Sequence, residues 1–105
     1  MFIARWTVDV RFGHRDEFLR VQRKWFEEVG KKVGLEEYKQ RALNGSIGAA
    51  ESRWEFEFAV PTLAALESFF AQIAKLPAHA QFGKDLEPHV VSGSNRWEIL
   101  RLVEL

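Results

Sequence analysis

Apolar residues recur along the chain with two alternating periods, and the order of these segments limits the folds that the chain can adopt. In residues 2–10, 51–60 and 96–105 apolar side chains alternate with mostly polar ones. This spacing predicts strands with one buried face, because successive side chains of a strand point to opposite sides. In residues 18–33 the spacing is that of a helix with one apolar stripe, and Gly34 would end it.

The remaining segments complete the pattern. Thr62 is predicted to cap a second helix, whose apolar stripe runs over residues 63–76. A short helical segment is predicted over residues 78–86. Residues 35–43 indicate a weaker, more polar strand with Tyr38 at its centre, and a glycine-rich turn follows it.

The resulting order is β-α-β-β-α-β, which predicts one α+β domain over residues 1–105 with the ferredoxin-like plan. In this plan four antiparallel strands form one sheet and two main helices cover one of its faces. The other face stays uncovered, and we call it the open face. The alternation places these residues on it: Ile3, Arg5, Thr7, Asp9, Arg53, Glu55, Glu57, Ala59, Arg96, Glu98, Leu100 and Leu102.

The charges of the open face admit two interpretations. The first and third strands are neighbours in this plan, so Arg5 and Asp9 would lie beside Glu55 and Glu57. These charges form either a surface that faces solvent or a second copy, or the lining of a cavity in which a carboxylate transfers protons. In the second case Glu55 or Glu57 would be a general base, and Arg5 or Arg53 would hold an enolate or a carboxylate.

The composition removes several classes of function. The chain has 15 Lys and Arg against 15 Asp and Glu, which disfavours nucleic acid and anionic membranes as partners. It has no cysteine, so disulfides, thiolate nucleophiles and cysteine-bound metals are absent. No apolar run approaches the roughly 20 residues of a membrane span, and we expect a cytoplasmic protein. No phosphate-binding loop or serine-hydrolase motif is present.

Histidine and aromatic residues supply the other candidates. His79 would be a general base, since its ordinary pKa near 6.5 suits proton transfer at neutral pH. The alternative is a partly buried histidine that caps or packs the connection after the second helix. Ligand-binding candidates are the aromatic residues Trp25, Tyr38, Phe69 and Phe70, which would either stack on a planar ligand or form core. We predict a hydrogen-bonded loop position for His89 and no metal site, because His79 and His89 lack the spacing of ligands on one helix face.

The sequence resembles the dimeric α/β-barrel superfamily, which includes antibiotic-biosynthesis monooxygenase-like and NIPSNAP-like proteins. The resemblance is carried by the segments LPAHAQF at residues 76–82, LEP at 86–88 and GHRDEFL at 13–19. It implies a homodimer in which two sheets pack face to face, with a pocket in each subunit between sheet and helices. Members of the superfamily include cofactor-independent oxygenases, haem-degrading enzymes, isomerases and cyclases.

The residues that those enzymes use are only partly present. Thr7 and Asp9 stand on the first strand where oxygenases have Asn, and Phe69 and Phe70 stand where they have Trp. His79 is the residue that would match a haem ligand. We therefore predict no cofactor, with haem bound through His79 as the alternative that the resemblance raises.

Two functions follow from the sequence. The protein is either an enzyme that performs cofactor-independent monooxygenation, isomerisation or cyclisation on a small aromatic or apolar metabolite, or a non-catalytic ligand-binding or assembly module. A cavity of a few hundred Å³ that includes His79 would favour a ligand. A cavity filled by Trp25, Phe69 and Phe70 would contradict catalysis.

Overall fold

Four antiparallel strands form a single sheet in the computed structural model, which describes residues 1–105. They are β1 (Phe2–Asp9), β2 (Arg41–Asn44), β3 (Arg53–Val60) and β4 (Arg96–Arg101), in the order β2-β3-β1-β4. This is the predicted ferredoxin-like arrangement, with β1 and β3 as the central pair. The register places Arg5 opposite Glu57 on β3 and opposite Glu98 on β4.

The helices pack on one face of the sheet. They are α1 (Arg15–Trp25), α2 (Leu63–Ala74) and α3 (Pro77–Leu86). α1 continues into a π-helical turn at Phe26–Gly30 and a 3₁₀ turn at Lys31–Val33. Gly34 then ends the helix with a φ of 76°, as predicted, and the Thr62 hydroxyl accepts the Ala65 N–H at the start of α2. No helix has the length and apolar character that a membrane span requires.

Two predicted strands are too long. Residues 35–38 form a 3₁₀ turn (Leu35–Tyr38) instead of the first part of β2. Gly34 and Lys39, with φ of 76° and 50°, turn the chain at both ends of this segment. The three-residue period of a 3₁₀ turn puts Leu35 and Tyr38 on the same side, where both contact the core. At the other end of the chain β4 stops at Arg101, and residues 102–105 are not in a strand.

The core consists of two clusters separated along the strands. The first contains Ala4, Phe58 and Val60 under α2, and the second contains Val8, Val10 and Trp54 under α1. On β1 and β3 the residues between the two clusters are the larger and only partly buried Trp6 and Phe56. The helix-covered face of the sheet is therefore filled by core side chains at both ends and carries aromatic rings at its centre.

Candidate functional site

A cavity of about 760 Å³ lies between the aromatic centre of the sheet and the helices. Small-molecule sites occupy roughly 300 to 1,000 Å³, so this cavity is large enough for a ligand of several rings. Of its 21 lining residues, 12 are hydrophobic. The wall comes from the sheet, α1 with its π-helical turn, α2 and α3, and it includes Trp6, Phe56, Phe58, Trp97, Leu19, Gln22, Trp25, Phe26, Phe69, His79, Phe82 and Gly83.

The wall formed by α1 owes its shape to the change from α-helix to π-helix. Trp25 and Phe26 lie at this change, and both line the cavity. Gly30 packs beneath them, since a Cβ at this position would come within 3.0 Å of Phe26 and 3.3 Å of Trp25. π-helical turns inside α-helices occur frequently at functional sites.

His79 lies in the first turn of α3, which Pro77 begins. The Trp25 indole N–H donates to Nδ1 of His79 at 3.0 Å, and Phe82 stacks beside the imidazole with a centroid distance of 6.3 Å. Burial lowers the pKa of His79 below its usual value near 6.5, so the ring is neutral at pH 7. An indole can only donate, so Nδ1 is the acceptor and Nε2 carries the proton of the neutral ring.

Gln22 is a cavity residue that the sequence reasoning missed. It occupies a position on the apolar stripe of α1, one turn before Trp25 and Phe26. Its amide nitrogen is buried and has no hydrogen-bond partner. The signal was present, because Gln22 is a polar residue on a helix face whose neighbours Phe18, Trp25 and Val29 are apolar.

The predicted charge cluster exists on the open face, and its charges pair within one chain. Glu57 is only 6% exposed, and its two carboxylate oxygens bind Arg5 and Arg41, each at 3.2 Å. Arg53 binds Glu55, and this carboxylate raises the pKa of the guanidinium further. Nε of Arg5 and Oγ1 of Thr7 are buried there without partners.

The sheet separates most of the predicted site residues into two groups. Trp25, Phe69 and His79 line the cavity. Arg5, Arg53 and Glu55 lie on the open face, and so does the carboxylate of Glu57, although Glu57 contributes to the cavity lining beside β2. The predicted combination of His79 with Arg5 or Arg53 at one substrate is therefore not formed within this chain.

Tyr38 and Phe70 belong to neither group. Tyr38 stacks on Phe58 with a centroid distance of 6.2 Å, and Phe70 packs on Phe69 and Trp97 at 5.8 and 5.2 Å. Neither residue lines the cavity. Their role in this structure is packing, which was the alternative that we gave for aromatic residues at these spacings.

The two other histidines bind each other. Nδ1 of His14 lies 3.0 Å from Nδ1 of His89, which joins the start of α1 to the connection after α3. His89 is thus hydrogen-bonded as predicted, although it lies in a 3₁₀ turn (Glu87–His89) and not in a loop. No three His, Asp or Glu side chains in residues 1–105 converge in a way that could hold a metal ion.

Comparison with known proteins identifies the fold. No protein-family model matches the chain, and no curated protein matches it in sequence. A NIPSNAP family protein from Agrobacterium tumefaciens superposes with a TM-score of 0.80 at 15% identity, over 98% of this chain and 93% of that chain. An uncharacterized NIPSNAP domain protein from Burkholderia xenovorans gives a TM-score of 0.74 at 15% identity, over 98% and 95%.

A third similar structure is a protein proposed to be an antibiotic biosynthesis monooxygenase, from Nitrosomonas europaea. Its TM-score is 0.68 at 10% identity, over 99% of this chain and 100% of that chain. All three structures have the fold of this chain. The resemblance drawn from the sequence is therefore confirmed at the level of the fold.

Proposed function

We propose that this protein binds a small, planar and mainly apolar molecule in the cavity between its sheet and its helices. The observation that carries the proposal is the volume of about 760 Å³ behind aromatic walls. Trp6, Phe56 and Trp97 present rings from the sheet, and Trp25 and Phe82 present rings from the helices. Aromatic faces stack well on planar ligands, and the burial of apolar ligand surface would supply most of the binding free energy.

Tryptophan fluorescence tests this proposal directly. Three of the four tryptophans, Trp6, Trp25 and Trp97, line the cavity, whereas Trp54 belongs to the core. Titration with planar aromatic compounds should change the emission with a saturable dependence on concentration. The absence of any saturable change across such a set would contradict the proposal.

A variant that fills the cavity gives the matched test. Gly83 lines the cavity, and a Cβ added there meets no atom within 4 Å, so Gly83→Leu has room to occupy ligand space. We expect this variant to weaken binding at least tenfold, about 1.4 kcal/mol. Ala80→Leu adds a similar side chain at an exposed position of α3 outside the cavity and should bind like the wild type.

Catalysis by His79 is a second candidate function, favoured by its neutral ring in the cavity wall. With Nδ1 bound by Trp25, the N–H of Nε2 would donate to a substrate carbonyl oxygen while a base from solvent, hydroxide or buffer, takes the α-proton, and the same N–H would stabilise the enolate that forms. A general-base role at Nε2 would require the other tautomer and the loss of the Trp25 bond. Cofactor-independent isomerisation or cyclisation would begin from such an enolate, and monooxygenation would also need dioxygen as a second substrate.

Deuterium exchange separates catalysis from binding. The protein would be incubated in D₂O with 2-tetralone, an aromatic ketone with acidic C–H bonds, and exchange would be followed by mass spectrometry. Catalysis predicts exchange faster than in buffer and a loss of about a hundredfold in His79→Phe, which has no N–H to donate. Exchange at the buffer rate would contradict proton transfer and leave ligand binding in place.

We also propose that the protein is a homodimer joined through the open face. No helix covers this face, and Leu43 and Leu100 are 38% and 40% exposed on it. Sedimentation should then give twice the 12.2 kDa of one chain. Leu100→Glu should produce monomers, whereas Leu105→Glu, at a fully exposed residue after β4, should not. A wild-type protein that sediments as a monomer at micromolar concentration would contradict this proposal.

A further inference from the structure

Two hydrogen-bond donors without a protein partner belong to the wall of the cavity. One is the amide nitrogen of Gln22, which is buried. The other is Nε2 of His79, whose ring is hydrogen-bonded only through Nδ1. We infer that these donors select a ligand with a neutral acceptor, namely the carbonyl oxygen of an aromatic ketone or quinone. The inference rests on the proposed function, because it concerns the ligand of the same cavity.

The Gln22 donor is the stronger indication. Its NH₂ group is covered by protein and bonds to nothing, which is rare for a buried polar atom and costs free energy. The terminal torsion of glutamine is soft, so a small rotation can bring this nitrogen to the cavity that the residue lines. An acceptor on a bound ligand would satisfy the donor and recover that cost.

His79 supplies the second donor because Trp25 fixes its tautomer. The Trp25 N–H occupies Nδ1, so the proton of the neutral imidazole is on Nε2, and the ring makes no other hydrogen bond to the protein. Gln22 and Trp25 are three residues apart on α1 and therefore neighbours on one helix face. The two donors thus border the same part of the wall.

A neutral acceptor fits this wall better than a carboxylate. A carboxylate removed from water needs a cation as its partner. The lining contains two arginines, but Arg41 is already bound to Glu57 at 3.2 Å and Arg23 is solvent-exposed on α1. No free guanidinium therefore lies in the interior of the wall beside Gln22 and His79.

Fluorene and 9-fluorenone test this inference, since they have the same ring skeleton and differ by a carbonyl oxygen. Equilibrium dialysis would give the ratio of their dissociation constants for the wild type, Gln22→Leu and His79→Phe. Because the ratio is compared between variants, the different hydration of the two compounds cancels. We expect the ratio of the dissociation constants, fluorene over 9-fluorenone, to fall about fivefold in each variant, because each variant loses one hydrogen bond to the carbonyl oxygen.

Two further variants test whether the change in the ratio comes from the donors in the cavity wall. Gln72→Leu makes the same change at an exposed position of α2 and should keep the wild-type ratio. Trp25→Phe removes the N–H that fixes the tautomer of His79, and nitrogen NMR of the imidazole should show a shift from the Nε2–H tautomer towards a mixture. A merely structural role for Trp25 would leave that spectrum unchanged.

The outcomes distinguish this inference from the proposed function. A smaller preference in Gln22→Leu and His79→Phe, with both compounds still bound, would support the carbonyl-selective site. An unchanged preference with both compounds still bound would overturn this inference and leave the apolar cavity as a binding site. Failure of the wild type to bind either compound would overturn both.

Discussion

The two faces of the sheet bury adjacent residues by different means. Glu57 and Phe58 follow each other on β3, and each is 6% exposed. Phe58 is covered on the helix side by aromatic rings, with the Phe69 centroid at 4.7 Å. Glu57 is covered on the open face by the guanidinium groups of Arg5 and Arg41. Burial of Phe58 therefore stabilises by removing apolar surface from water, whereas Glu57 is buried by its own ion pairs.

This difference shows where chemistry can occur on the molecule. The charged side chains of the sheet lie mostly on the open face, and most of them pair within the chain, including the exposed pair Arg96 and Glu98 at 3.5 Å. The helix side is mainly apolar, and there the unpaired donors of Gln22 and His79 remain for a ligand.

The largest effect is expected on the helix side. Phe58→Ala should lower the free energy of unfolding by about 3 to 5 kcal/mol, because it removes a buried ring from the first core cluster. Urea denaturation measures this change. Phe12→Ala, at a fully exposed phenylalanine, should stay within about 0.5 kcal/mol of the wild type. Equal losses in the two variants would contradict the core assignment.

The matching change on the open face should cost less. Glu57→Gln leaves Arg5 and Arg41 without their carboxylate, but these side chains are 32% and 67% exposed, so water screens their repulsion. We expect a loss of about 1 to 2 kcal/mol, which should shrink at high salt. Glu98→Gln breaks only an exposed pair and should cost about 0.5 kcal/mol or less. A salt-independent loss in Glu57→Gln would contradict an electrostatic origin.

The sequence predicts most of this fold because its periods are long and regular. The alternation on β1 and β3 correctly assigned the two faces and placed Arg5 beside Glu57, whereas Asp9 lies opposite Arg53 and not beside a glutamate. The error in residues 35–40 has a local cause. The spacing of Leu35 and Tyr38 is also compatible with an irregular strand. In the structure the segment is a 3₁₀ turn bounded by left-handed backbone at Gly34 and Lys39.

The candidate site was less predictable because it depends on contacts between distant elements. Trp25 and His79 are 54 residues apart, and nothing in their spacing reveals their hydrogen bond. The cavity also depends on which aromatic rings fill the core, and Tyr38 and Phe70 turned out to pack there. Trp25, Phe69 and His79 were predicted as site residues from their type, and Gln22 carried a further signal as a polar residue on an apolar stripe.

Replacement of Gln22 should raise stability while it impairs selection of the ligand. Gln22→Leu removes a buried amide nitrogen that has no partner, so the unliganded protein should gain about 1 kcal/mol. Gln72→Leu, at an exposed position, should change stability by less than about 0.5 kcal/mol. A clear destabilisation of Gln22→Leu in urea would mean that the amide has a partner in solution.

The smallest effect is expected from the titration of His79, which separates the cavity from the charged face. Burial lowers the pKa of His79 in the folded protein, so the unfolded chain binds the proton more readily. The contribution of the neutral His79 ring to the free energy of unfolding is fully present above about pH 6.5. It is lost as the pH falls through the folded-state pKa.

His79→Gln removes this pH dependence. The free energy of unfolding in urea would be measured against pH for wild type and variant. The difference between the two curves reports His79 alone, since both proteins keep the pair His14 and His89. The wild type should lose more stability than the variant between neutral and mildly acidic pH. Parallel profiles would mean that water reaches the imidazole freely. In that case the wall around Trp25 and Phe82 would not exclude solvent, and the contrast between the two faces would be weaker than the structure indicates.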